Sequence, residues 1–177
     1  MKILLMSISF FLFLFSFSFS FIPKFNLSNS EKQVNKTLNM AAKICRIKYK
    51  IHPMGEGASM PGDIVEKLFL SFSHEGSLSK DEIRKIVVGC IQELFNAASS
   101  NQELQEHLKE KPFKIENVQI NLFVQSNDGS NLYDPNISVG NVRNGIITYL
   151  TNDPENEYKY KSEVTETYAE ALKLLQQ

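Results

Sequence analysis

The chain is short of almost everything that announces chemistry. It has two cysteines, Cys45 and Cys90, too few for a disulfide-built scaffold. It has three histidines, His52, His74 and His107, and none has a ligand partner at the two-to-five-residue spacing that zinc sites use. No metal and no other cofactor is expected. The run Gly55-Glu56-Gly57-Ala58-Ser59-Met60-Pro61-Gly62 lacks the Gly-Lys-Ser/Thr ending of a phosphate loop and the third glycine of a dinucleotide turn. Its Ser59 is no nucleophile elbow, because Pro61 stands where that turn needs glycine. Asn127-Asp128-Gly129 lacks the later acidic ligand of a calcium loop. Local catalytic signatures are therefore missing, which leaves for catalysis only a triad dispersed along the chain and joined in space.

Charge is also missing, from Ile3 to Ile22. Lys2 followed by the apolar stretch Ile3–Phe15 has the form of a signal peptide's first two regions. Ser16, Ser18 and Ser20 then offer the small residues that signal peptidase reads one and three positions before its cut. Cleavage is expected after Ser18 or after Ser20, making residues 1–20 a signal segment. About 20 apolar residues also just span a bilayer, so an uncleaved anchor is the second reading. Both readings put the working part outside the cytoplasm, in the periplasm or beyond the cell.

The remaining charge is uneven. Residues 24–50 carry seven Lys/Arg against Glu31 alone, while residues 51–177 carry eleven against nineteen Asp/Glu. A basic segment of this kind can meet a membrane surface, or it can dock on the acidic body of its own chain. Nucleic acid is not expected as a partner, because the body is acidic and no basic residues interleave with aromatics.

Periodicity organises the rest of the chain. Residues 21–29 read as a linker. Residues 30–51 read as a basic amphipathic helix capped by Ser30, with Val34, Leu38, Ala41 and Cys45 recurring on one face. His52 to Gly62, with three glycines and two prolines, reads as an irregular loop. An α+β domain is expected over 60–177. Asp63–His74 alternates as a strand, and Ser79 with Glu82 forms a capping box opening a helix to about Ala98. A shorter helix starts near Asn101 and stops before Pro112. Val118, Ile120, Leu122 and Val124 mark a half-buried strand, and Asn144-Gly145 marks a hairpin. Asn152-Asp153-Pro154 should close the sheet, and Ser162 to about Leu175 should form a last helix. The expected fold is α+β: a two-layer sandwich, with a mainly antiparallel sheet of about four strands and helices on one face.

Few side chains remain as candidates. An oxidising compartment lets Cys45 and Cys90 bond, although both fall on apolar helix faces where two buried free thiols serve equally well. His52 and Ser59, with Glu56 or Asp63, are the members from which a hydrolytic site beside the 52–62 loop would have to be built. Glu163, Glu166 and Glu170 at helical spacing read as solvated acids near a helix N-terminus, as do Glu103, Glu106 and Glu110. Tyr158, Tyr160 and Tyr168 with Lys159 and Lys161 make an aromatic-basic cluster, read as a recognition edge or as decoration of an exposed strand.

Five segments together carry a resemblance: MPGDIVEKLFLSF at 60–72, PFKIENVQINLFV at 112–124, YDPNISV at 133–139, GIITY at 145–149 and YKYKSEVTETYAEAL at 158–172. They resemble small exported proteins of unknown function from chlamydia-like intracellular bacteria. The resemblance implies a Gram-negative envelope or a host-facing destination and brings no functional residues with it. Expected from all this is an exported, non-enzymatic binding module, with protein, envelope component or membrane surface as partner. An exported hydrolase is the alternative.

Overall fold

The computed structural model describes residues 27–176. The signal segment and both cleavage points lie outside those residues. Helix α1 (Asn29–Tyr49) is capped by Ser28, two residues before the expected cap. The Ser28 hydroxyl accepts from the Glu31 amide at 3.2 Å, and the Glu31 carboxylate accepts from the Ser28 amide at 2.6 Å. Ser30 is instead buried in the first turn and donates to Asp63 at 2.9 Å. The inward stripe Val34, Leu38, Ala41 and Cys45 belongs to the same core as the rest of the fold. Thus α1 is part of the domain rather than a segment preceding it. Each fully buried Leu or Ile here contributes roughly 1.5–3 kcal/mol over an exposed one.

The expected loop is a strand. Strand β1 (His52–Ser59) pairs antiparallel with β2 (Lys67–Glu75), and a bulge falls between Pro53 and Gly55. Proline is tolerated there because β1 is the sheet's outer edge, where an N–H is dispensable. Gly57 has its own reason. A Cβ at that position would lie 2.3 Å from the Phe69 ring, so the strand passes only without a side chain. Residues that look like loop punctuation are here the fittings of an edge strand.

Helix α2 (Lys80–Ser100) opens on the capping box read from Ser79 and Glu82. Helix α3 (Gln102–His107) is capped by Asn101, whose side chain accepts from the Leu104 amide at 3.2 Å. These helices carry the chain across to β3 (Val118–Gln125), which pairs in parallel with β2. Strands β4 (Val139–Arg143), β5 (Ile146–Asp153) and β6 (Asn156–Thr167) then add antiparallel, and α4 (Tyr168–Leu174) ends the described chain. Between β4 and β5, Asn144 and Gly145 both take positive φ, 51° and 77°, as the two-residue hairpin requires.

The fold is α+β, with one six-stranded mixed sheet in chain order and four helices among the described residues. Six strands replace the expected four because β1 has the composition of a loop and β6 the spacing of a helix. Leu68, Leu70 and Phe72 from β2, with Val118, Ile120, Leu122 and Val124 from β3, are buried in the core with α1 and α2. Gly140 on β4 lets α2 sit close, since a Cβ there would lie 2.2 Å from the Ile83 side chain.

The last third differs most from expectation. Asn152 and Asp153 end β5 and Pro154-Glu155 turns the chain instead of closing the sheet, with the Asp153 side chain accepting from the Glu155 amide at 2.9 Å. The chain then runs back along β5 for twelve residues. The helical spacing of Val164, Tyr168, Ala171 and Leu172 coincides with alternation over 157–167, and pairing with β5 favours the strand. A third capping box starts α4, with Thr167 as cap and Glu170 as its reciprocal partner.

Candidate functional site

The residues considered for a hydrolytic site are not brought together. His52 pairs with Ser73 and Ser59 with Lys67, at opposite ends of β1. At about 3.3 Å per residue they stand roughly 20 Å apart. Asp63 is engaged by Ser28 and Ser30, and Glu56 accepts from Asn39 at 3.2 Å. The segment lies flat along the sheet edge. No group of three His, Cys, Asp or Glu side chains that could hold a metal assembles among the described residues.

Cys45 on α1 and Cys90 on α2 do meet. Both are buried, carry free thiols and lie beside each other in the core. Burial, then that contact, pushes the Cys90 thiol far above its ordinary range, so it is not a poised nucleophile.

The acids divide. Glu163 lies on β6, and Glu170 is a cap ligand. Glu166 is no solvated helix acid: it projects from β6 under the start of α2. Arg84 grips it through two bonds, Nε to Oε1 at 2.8 Å and Nη2 to Oε2 at 3.1 Å, and the Tyr149 hydroxyl donates to Oε1 as well. Arg84 also bonds Asp81, and the Lys80 ammonium sits 4.8 Å from the centre of the Tyr149 ring. Desolvation opposes the charge on Glu166, but the bonds from Arg84 and Tyr149 outweigh it and hold the carboxyl below its ordinary range. The Arg84 guanidinium and the Tyr149 hydroxyl are both spent on carboxylates of the cluster, so it works as a clamp between helix and sheet.

Among the described residues, concave features lie away from the clamp. A cleft of about 610 Å³ between the C-terminal ends of α1 and α4 and the middle of α2 is lined by Lys48, Tyr49, Lys85, Gly89, Gln92 and Leu172, among others. Tyr49 lies against Gly89, where a Cβ would be 1.9 Å from its hydroxyl, and Lys48 is tied to Glu93 at 2.7 Å. A shallower hollow of about 410 Å³ lies at the tip of the β5–β6 hairpin, between Tyr133, Pro154, Asn156 and Tyr158.

That hairpin is exposed along most of β6. Tyr158 is 88 % exposed and Tyr160 53 %, and Tyr133 stands beside them. Thr151 and Ser162 share a 2.6 Å hydroxyl contact at its base, and Lys161 reaches Asp134 at 3.5 Å. One flank of β6 bonds to β5, and the other ends the sheet. The register says which groups face outward. The Tyr168 amide donates to the Gly145 carbonyl at 2.9 Å, making 145/168 a hydrogen-bonded position. Counting back by twos, Glu166, Val164 and Ser162 bond to β5, and the amides and carbonyls of Thr165 and Glu163 point away from it. The tyrosines and lysines stand out in the sequence. The extension of their strand to Thr167 does not, although Thr167-x-x-Glu170 marks where helix can begin.

Compared with protein-family models, curated proteins and solved structures, the chain matches none.

Proposed function

We propose that this chain is exported and acts outside the cytoplasm as a non-enzymatic binding module that takes an extended segment of a protein partner along β6. The observation that carries this reading is the twelve-residue edge strand, exposed along nearly its whole length, with outward-facing backbone groups at Glu163 and Thr165. An added strand satisfies those groups by main-chain bonds, and the side chains beside it set the preference. Tyr158 and Tyr160 supply large contact area at low entropic cost, as aromatic anchors do at interfaces. Glu157, Lys159, Lys161 and Glu163 place both signs of charge along the edge, which discourages indiscriminate pairing and favours a partner of matching pattern. Export is supported by the sequence of residues 1–20.

The test blocks the edge without breaking the sheet. Thr165→Pro removes an outward N–H and leaves the β5 ladder intact, while Tyr158→Ala with Tyr160→Ser removes the anchors. Capture from envelope and host-contact fractions should return a reproducible protein with the native chain, and both variants should lose it. The same capture by Thr165→Pro, or no reproducible partner, would contradict the proposal.

A further inference from the structure

Packing settles only half of α1. Its inward stripe is in the core, and Gln33 and Thr37 on its flank are engaged by Asn101. At 3.6 residues per turn, Lys32, Lys36, Lys43 and Arg46 fall together on the opposite side, and all four are exposed, as is Lys50 at the helix's left-handed C-cap. Beside them Met40, Ile44 and Ile47 line up at helical spacing, 37 %, 37 % and 66 % exposed. One helix thus presents a row of cations next to a row of uncovered apolar side chains.

The acidic body does not absorb these cations. Among the described residues, the one α1 side chain in an ion pair is Lys48, with Glu93. Glu31, the helix's own acid, is committed to the Ser28 cap. With nineteen acids against eleven bases in residues 51–177, the molecule is polarised, and α1 is its positive pole.

We infer that the outward face of α1 docks on an anionic membrane surface. Charge complementarity accounts for the four helix cations and the Lys50 cap, and the apolar row selects a bilayer over other polyanions. A nucleic acid or an acidic protein satisfies lysines and arginine but offers nothing for Ile47, Ile44 and Met40. A bilayer places an acyl layer directly behind its phosphates, the geometry that interfacial helices with one basic and one apolar side use. In the sequence, α1 also begins a few residues after the uncharged run that ends at Ile22, which the export reading places at the membrane. The inference is independent of the β6 proposal: it concerns another element and another class of partner.

Residues 21–177 contain the whole of the described core, from Val34 to Ala171, and are the form to test. Flotation with vesicles of phosphatidylglycerol and phosphatidylcholine is compared with phosphatidylcholine alone, at low and high salt. The chain should float with the anionic vesicles only, and less at high salt. Neutralising Lys36→Gln together with Lys43→Gln should lower partitioning about 25-fold, at about fivefold per lysine. Ile47→Ser should also lower it. All these positions are exposed, so circular dichroism and melting should match the native chain. Absence of flotation with anionic vesicles overturns the inference, as does equal flotation of the lysine variant. Binding that Ile47→Ser leaves unchanged overturns the bilayer assignment in favour of a generic polyanion.

Discussion

Arg84 and Glu166, eighty-two positions apart, form a forked ion pair between α2 and β6, with the two side chains only 7 % and 9 % exposed. This pair fixes the strand proposed for binding against the helix layer. Replacing Glu166 by Ala leaves Arg84 without its buried partner and should cost about 3–5 kcal/mol in urea unfolding. Replacing both Arg84 and Glu166 by Met should cost much less, because no uncompensated charge remains.

The same pair gives a pH dependence of known sign. The folded carboxyl of Glu166 titrates below its ordinary 4.5. Its contribution is therefore complete above about pH 4.5 and is lost as pH falls through the lower folded value. The stability gap between the native chain and Glu166→Gln should be constant above about pH 5 and shrink below about pH 4.5. A gap that widens on acidification would show that the carboxylate is not the stabilised form.

Asn101 ties three elements together. It caps α3 through Leu104 and donates to Thr37 on α1 at 2.9 Å, in a buried position. Asn101→Ala should cost about 2–3 kcal/mol, since it removes the cap and leaves the buried Thr37 hydroxyl without its donor. Asn101→Asp keeps the cap, loses the donated bond and should also destabilise. A loss under about 1 kcal/mol in the alanine variant would mean that water replaces the side chain.

Gly140 and Ile83 test the spacing between helix and sheet. Gly140→Ala should destabilise by about 1–3 kcal/mol through overpacking. In an Ile83→Ala background the same substitution should cost clearly less, a coupling visible in a double-mutant cycle.

Cys45 and Cys90 bear on the compartment. In the reduced chain neither thiol should react with iodoacetamide until the core opens, because both are wholly buried. In the exported chain a thiol–disulfide oxidant can join them, and the closed loop would add about 4 kcal/mol. Thiol counting in denaturant on material taken from outside the cytoplasm should then find none free, and two free thiols would show that the pair stays reduced there.

Legibility in the sequence tracks how local the signal is. The Ser79–Glu82 box, the Asn144-Gly145 hairpin and the alternation of Val118 to Val124 depend on neighbouring residues, and each is found in the structure. Strand β1 is hidden because Gly55, Gly57 and Pro53 punctuate loops in isolation; the Phe69 ring explains Gly57 and the edge position admits Pro53. Strand β6 is hidden because its apolar residues fit two periods at once, and the deciding partner, β5, follows from topology. Glu166 misleads for that reason: on a helix it is a solvated acid, and on β6 it reaches Arg84. The tyrosine cluster is legible as an exposed edge or strand, but its full length and its pairing with β5 are not.

Export underlies both proposed partners, and N-terminal sequencing of the native chain after cell fractionation tests it most directly. A chain beginning at Phe19 or Phe21, recovered from the periplasm or the medium, is the predicted result. A chain beginning at Met1 in the cytosolic fraction would contradict it.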